Sequence, residues 1–210
     1  MKRLLIKLRG DRQAATLVEF ALLLPLALLF LFGIIDAGRL IWTMNRAEKA
    51  TQMGARWAVS TDLVAPSFIN YSYVGVGGLT QGDAIPASSL GKITCTSTTS
   101  CRCITTPCPV NGVNSDNGFN ATAFNSIVSR MALFDGNATA ARVQIDYTGA
   151  GIGYAGDPTP GASDIAPLVT VRLTGLTFVP VLGQIFGVSM TIPPVSAALT
   201  LEDGVGTVAN

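Results

Sequence analysis

The sequence predicts an α+β fold: a long N-terminal transmembrane and amphipathic helix, then a small extracytoplasmic domain with an antiparallel sheet, one further helix and a disulfide-stapled loop region. Three observations predict it. They are an apolar run of membrane length near the N-terminus, alternating apolar and polar residues near the C-terminus, and a cluster of four cysteines between them. We therefore expect a basic cytoplasmic leader (1–14), a helix (15–60) and an extracytoplasmic domain (61–210).

The apolar run covers residues 14–35 and contains one carboxylate, Glu19. At about 1.5 Å per residue, the charge-free residues 20–35 are somewhat short for a hydrocarbon core of about 30 Å, so we place Glu19 within the spanning helix. A carboxylate at the bilayer centre costs roughly 2–3 kcal/mol and therefore needs a partner or a purpose. The alternative is that Glu19 lies at headgroup level as an ordinary acid at a helix start. Pro25 should kink the helix because it removes a backbone hydrogen bond.

Charge and cysteine usage predict the orientation of this helix. Basic residues before the run favour a cytoplasmic N-terminus: Lys2, Arg3, Lys7, Arg9 and Arg12. The clustered cysteines favour an oxidising compartment on the other side of the membrane. A retained signal anchor is favoured over a cleavable signal peptide, because the run exceeds the usual apolar length and residues 36–40 form a poor cleavage site.

The helix is expected to continue beyond the run as far as residue 59. No proline interrupts this stretch, and mostly small side chains recur at steps of three and four residues: Ile41, Met44, Ala47, Thr51, Gly54, Ala55 and Ala58. Polar and basic residues lie on the other side. Two interpretations stay open, packing on the chain's own domain and packing on a neighbouring subunit.

Residues 61–119 are rich in Gly, Ser, Thr, Asn and Pro, and predict irregular loops stapled by Cys95, Cys101, Cys103 and Cys108. Pairing of Cys95 with Cys101 and of Cys103 with Cys108 is one possibility, and the crossed arrangement is another. A bond between Cys101 and Cys103 would be the most strained. Zinc binding is less favoured, since the spacing lacks paired C-x2-C motifs and the chain has no histidine.

A second helix is predicted at about residues 120–134, with Asn120 as its N-cap and with Phe124, Ile127, Val128 and Met131 on one apolar face. Alternation predicts strands at 143–147 and 169–173, and a last strand pair is expected from 187–192 and 195–201, interrupted by two prolines. Between these strands, residues 178–186 (FVPVLGQIF) are unusually apolar for a connection. They are expected either to cover the core or to contact a membrane surface or another subunit.

The composition argues against several functional classes. Without histidine there is no Ser-His-Asp or Cys-His machinery, so no catalytic, cofactor-binding or metal-binding residue is nominated and no enzyme activity is expected. Residues 151–156 match the letters of a dinucleotide-binding loop, but the prolines that follow do not suit the helix such a loop requires. Residues 61–210 carry more acidic than basic side chains, which argues against nucleic-acid binding.

Three motifs together resemble the N-terminal signature of TadE-like minor pseudopilins from tight-adherence (Flp-type) pilus systems. They are AATLVEFALLLP (14–25), GIIDAGRL (33–40) and ATQMGARWA (50–58). The resemblance covers residues 9–60. It implies a bacterial inner-membrane protein that assembles or anchors an adhesion pilus, with other pilin-like subunits, the pilus assembly machinery and a prepilin peptidase as partners.

The resemblance also implies a role for Glu19. In pilin-like proteins the leader is cut after a glycine, and a glutamate at the fifth mature position aids subunit docking. Glu19 is that fifth residue if cleavage falls between Ala14 and Ala15, although an alanine then replaces the expected glycine. The nearest glycine, Gly10, would place Glu19 ninth, so cleavage after Ala14, cleavage after Gly10 and retention of the leader all stay open. The alternative function is a membrane-anchored extracytoplasmic binding protein that is not incorporated in a pilus.

Overall fold

The structure, a computed structural model, describes residues 12–69, 71–109, 116–156 and 163–202. The described residues form two compact units. The first, here called the helix unit, contains the N-terminal helix up to Thr43 together with Phe178–Met190. The second, the sheet unit, contains Met44–Thr177 and the residues from Thr191 onward. The boundaries predicted at residues 14 and 60 stay predictions.

The first helix, α1, runs from Arg12 to Val59 without a break and includes Pro25. This confirms that the apolar run and the small-residue stripe belong to one helix. From Ala47 onward the stripe packs within the sheet unit, since Ala47 and Ala55 have no exposed surface and Thr51 is 1% exposed. A side chain at Gly54 would meet the Met131 side chain, with a Cβ only 2.6 Å from Cγ. The small residues are therefore used to bring the helix backbone close to its own domain.

The core of the sheet unit is a five-stranded antiparallel sheet with the strand order β2-β1-β3-β4-β7. The strands are β1 (Lys92–Thr96), β2 (Ser100–Thr105), β3 (Val143–Thr148), β4 (Leu168–Leu173) and β7 (Val195–Thr200). The predicted alternation in β3 and β4 is confirmed, because Ile145 and Val171 pair in register and both are fully buried. One face of the sheet is therefore a continuous apolar surface.

The second helix, α2, covers this apolar surface and spans Ala121–Ala132. Its predicted N-cap is confirmed, since the Asn120 side chain accepts a hydrogen bond from the Ala123 N–H at 3.1 Å. Of the predicted apolar face, Phe124, Ile127 and Met131 are buried, and Val128 is partly exposed. The indole of Trp57 on α1 donates to the Ser126 hydroxyl at 3.2 Å, which ties the two helices together.

Two predictions about strands are wrong. Residues 61–119 are not wholly irregular, because β1 and β2 lie in this stretch and form a hairpin at one side of the main sheet. The segments 187–192 and 195–201 do not pair with each other. The short strand β6 (Met190–Thr191) pairs with β5 (Thr177–Phe178), whereas β7 pairs with β4. Pro193 and Pro194 lie between them and lack the N–H that a tight hairpin ladder needs.

The outer face of the sheet carries a buried carboxylate, Asp146. It accepts hydrogen bonds from Thr94 at 2.7 Å, Gln144 at 2.9 Å and Arg172 at 2.7 Å, and Lys92 lies 3.2 Å away. Burial alone would raise the pKa of Asp146, but these hydrogen bonds and the Lys92 charge outweigh it, and the pKa lies below its usual range. The charged form is therefore stabilised in the folded state.

We expect Asp146→Ala to lower the free energy of unfolding by about 2–4 kcal/mol at neutral pH, because it leaves Arg172 and Thr94 without their acceptor. A carboxyl whose folded pKa is depressed stabilises the fold above its unfolded pKa, and that stabilisation is lost as pH falls through the folded pKa. The difference between wild type and variant should therefore shrink in acid. Urea unfolding of the full chain in detergent at several pH values measures it. Glu48→Ala, which removes an exposed carboxylate on α1, is the control, and an equal loss in both variants would contradict the prediction.

Candidate functional site on the N-terminal helix

The membrane-length part of α1 is exposed along its described length. The apolar window within residues 16–59 has a mean hydropathy of 2.6, and none of it is buried in the structure. Large side chains are exposed on all sides of the helix, including Leu17 (69%), Leu22 (73%) and Leu23 (62%). By length and composition this helix is able to cross a membrane. A surface of this kind is not stable in water and requires an apolar environment.

Glu19 lies on this exposed surface, two turns before Pro25. Apolar residues flank it on both sides, among them Leu17 (69% exposed) and Phe20 (62%). The residues nominated for processing lie at the start of the same helix: Ala14 and Ala15 are helical, and Gly10 lies outside the described residues. The helix is continuous through Pro25, and the kink predicted there stays a prediction.

A polar cluster marks the end of the apolar run. Asp36, whose side chain is only 14% exposed, pairs with Arg39 at 2.9 Å on the next turn. The same carboxylate accepts from the Val181 N–H, at 2.9 and 2.8 Å to its two oxygens. The Arg39 guanidinium also lies 5.4 Å from the centre of the Phe178 ring. These contacts hold a short third helix, α3 (Val181–Phe186), on α1 within the helix unit.

Sequence reasoning missed this cluster. Asp36 is the first charged residue after residue 19, and Arg39 follows at the three-residue spacing that permits an ion pair on a helix. This spacing is visible in the sequence, but the partner in residues 178–181 is remote, with a separation of 145 residues from Asp36 to Val181. Only the folded chain brings them together.

The four cysteines form two disulfides in the sheet unit, Cys95–Cys101 and Cys103–Cys108. Of the pairings left open by the sequence, the structure has the sequential one. Cys95 and Cys101 are directly opposed in the β1–β2 hairpin, and Cys103 faces the same buried side. The disulfides therefore staple the hairpin against the core. Glu19 belongs to the helix unit and the cysteines belong to the sheet unit.

Two open grooves, of about 420 and 410 Å³, flank the C-terminal part of α1. The first is lined by Arg56, Trp57, Arg130 and Glu202, and the second by Glu48, Gln52 and residues 193–197. In the described part of the chain, no group of three or more Cys, Asp or Glu side chains is arranged to hold a metal ion. The exposed helix is therefore the surface with the most distinctive chemistry.

Comparison with known families bears on this same helix. Residues 14–56 match the family model described as TadE-like protein, which confirms the resemblance drawn from the sequence motifs. No curated protein and no solved structure matches the chain. The match includes Glu19, Pro25, Asp36 and Arg39, and it also includes the small-residue stripe as far as Ala55.

Proposed function

We propose that this chain is a minor pilin-like subunit, a pseudopilin, of a tight-adherence pilus system in the bacterial envelope. The observation that carries the proposal is that residues 14–56 match the TadE-like model and that no side chain of the apolar residues 16–35 is buried. The proposed role is structural, with no catalytic step. Its partners are other pilin-like subunits, the pilus assembly machinery and a prepilin peptidase.

The exposed helix supports this proposal on physical grounds. Its apolar side chains need a bilayer, or a bundle of similar helices, to remove them from water. A pilin-like subunit meets both environments, first as a membrane protein and then within a filament or at its base. The isolated carboxylate on the apolar surface is costly in the first environment and useful in the second, where it has a partner.

The proposed location is the inner membrane, with the N-terminus in the cytoplasm. The basic residues before the helix support this orientation. Two disulfides in the sheet unit support it as well, since such bonds persist in an oxidising compartment outside the cytoplasm. Residues 16–35 would then separate the two compartments.

Processing by a prepilin peptidase is part of the proposal. Cleavage between Ala14 and Ala15 would create a new ammonium group one helical turn from Glu19, within reach of a neighbouring subunit's glutamate. We expect the intact mass of the membrane-extracted protein to correspond to a chain that begins at Ala15. A chain of 210 residues would contradict processing, and a chain beginning at Asp11 would place Glu19 out of position.

The functional test is removal of the gene from its host. We expect the deletion strain to lose surface pili and adhesion, and a plasmid copy of the full chain to restore both. Pili are counted by electron microscopy and measured in the sheared surface fraction. A deletion strain with normal pili and normal adhesion would overturn the proposal.

A further inference from the structure

The segment Phe178–Met190 combines an apolar composition with exposure. It contains no Asp, Glu, Lys or Arg. Phe178 is buried, but Val179 (38%), Val188 (52%) and Met190 (45%) are exposed. A charge-free segment with several exposed apolar side chains is unfavourable in water and indicates a surface that is covered by something else.

The segment is held on α1 at a defined height. Asp36 accepts from the Val181 N–H at the start of α3, and Arg39 lies over the Phe178 ring. At the other end of α3, Gly187 has a left-handed backbone (φ 68°). The Val188 N–H donates a hydrogen bond to the Gly183 carbonyl at 2.8 Å. Val188 therefore follows a closed helix end, and the start of the segment is anchored next to Asp36.

That height coincides with the end of the apolar run. At about 1.5 Å per residue, residues 16–35 span about 30 Å, the thickness of a hydrocarbon core. Asp36 is the first charged residue after Glu19 and so falls at the polar boundary of a membrane crossed by this run. Ile41 and Trp42, each 60% exposed, follow within about 10 Å, and tryptophan is enriched at membrane interfaces.

We infer that Phe178–Met190 lies in the outer interface of the bilayer that α1 crosses, with Val188 and Met190 among the lipid headgroups and upper acyl chains. This inference rests on the membrane-anchored role proposed above and adds a second membrane contact to it. Asp36 and Arg39 connect the spanning helix α1 to this segment. The segment would set how far α1 extends out of the membrane while the protein is still anchored there.

Depth-dependent quenching in vesicles tests this inference with the full chain. Single cysteines at Val188, Leu26 and Leu133 are labelled with an environment-sensitive fluorophore in the oxidised protein. The labelled chains are reconstituted in phosphatidylethanolamine–phosphatidylglycerol vesicles. Leu26 reports the spanning helix, and Leu133, 73% exposed after α2, is the reference outside the segment. The quenchers are aqueous iodide and lipids with a nitroxide near the headgroup or deep in the acyl chain.

We expect the Val188 label to be quenched most by the shallow nitroxide and to be at least threefold less sensitive to iodide than the Leu133 label. In an Asp36→Ala background the Val188 label should become iodide-sensitive, while the Leu26 label should keep its deep quenching. Equal iodide sensitivity at Val188 and Leu133 in wild-type vesicles would overturn the inference. So would protection at Val188 without nitroxide quenching, which indicates cover by another subunit.

The same samples separate this inference from the proposed function. A chain that does not float with the vesicles overturns the membrane anchor, and the inference with it. A chain that floats, with deep quenching at Leu26 and an aqueous Val188, overturns only the interfacial segment. Pilus counts in the host are not part of the readout, so a failed pilus assignment leaves the interfacial contact supported.

Discussion

A chain that begins at Met44 is expected to fold, whereas a chain that begins at Asp62 is expected to remain unfolded or to aggregate. The reason is that residues 44–59 of α1 form part of the core of the sheet unit. Ala47, Ala50 and Ala55 are fully buried, and Ala58 and Val59 are 1% and 2% exposed. Without this stretch the apolar face of the sheet and the buried side of α2 would be open to water.

Near-ultraviolet circular dichroism and urea unfolding measure this difference. The longer chain should show fixed aromatic signals and one cooperative transition, and the shorter chain should show neither. Two chains with the same transition midpoint would contradict the assignment of residues 44–59 to the core. A chain that lacks residues 1–61 would therefore lose its partners in a binding experiment because it is not folded.

Substitutions at two glycines of α1 test the same packing without truncating the chain. A Cβ at Gly54 would lie 2.6 and 2.8 Å from atoms of Met131 and 3.3 Å from Val171, whereas nothing lies within 4 Å of one at Gly38. Gly54→Leu should therefore cost about 1–3 kcal/mol or more from overpacking. Gly38→Leu should be neutral or slightly stabilising, because leucine has the higher helix propensity. Equal effects at both positions would indicate that the stripe does not pack on the sheet unit.

The elements that the sequence predicts well are those determined by local pattern. In α2, the N-cap Asn120 and the spacing of Phe124, Ile127 and Met131 are all contained in about a dozen residues, and each behaves as its pattern indicates. The strands β3 and β4 alternate clearly because one of their faces is buried along its whole length. In these segments the local pattern and the tertiary burial agree.

The elements that the sequence did not reveal depend on distant partners. In β1 and β2 the buried positions are filled by Ile93 and by cysteines, and all the other positions except Ile104 hold threonine, serine, lysine or arginine, so the alternation resembles a polar loop. The strand becomes evident only when β1 pairs with β3, about 50 residues later in the chain. Likewise, nothing in the sequence around Asp36 indicates that its carboxylate accepts from the first N–H of a helix at Val181. Both contacts join residues that are distant in the chain, so local sequence patterns do not reveal them.

Glu19→Gln is expected to abolish surface pili while the protein still accumulates in the membrane. The substitution keeps the shape of the side chain but removes the charge that would pair with a neighbour's N-terminal ammonium. Membrane insertion should not suffer, since the carboxylate itself costs roughly 2–3 kcal/mol near the bilayer centre. A loss of pili in this variant would therefore come from failed docking and not from failed insertion. Glu19→Asp keeps the charge and should retain partial assembly.

Glu48→Gln is the matched control, because Glu48 is an exposed glutamate on the same helix that lies beyond the apolar run. Pili are counted for each variant in the deletion strain, and the membrane fraction is measured in parallel. The competing interpretation, in which Glu19 only interacts with the helix dipole at headgroup level, assigns it about 0.3–1 kcal/mol and predicts near-normal pili. Normal pili in Glu19→Gln would favour that interpretation. Loss of pili in Glu19→Gln, with normal pili in Glu48→Gln, requires a partner for the Glu19 charge, because a contribution to one helix's stability of that size cannot remove a whole assembly.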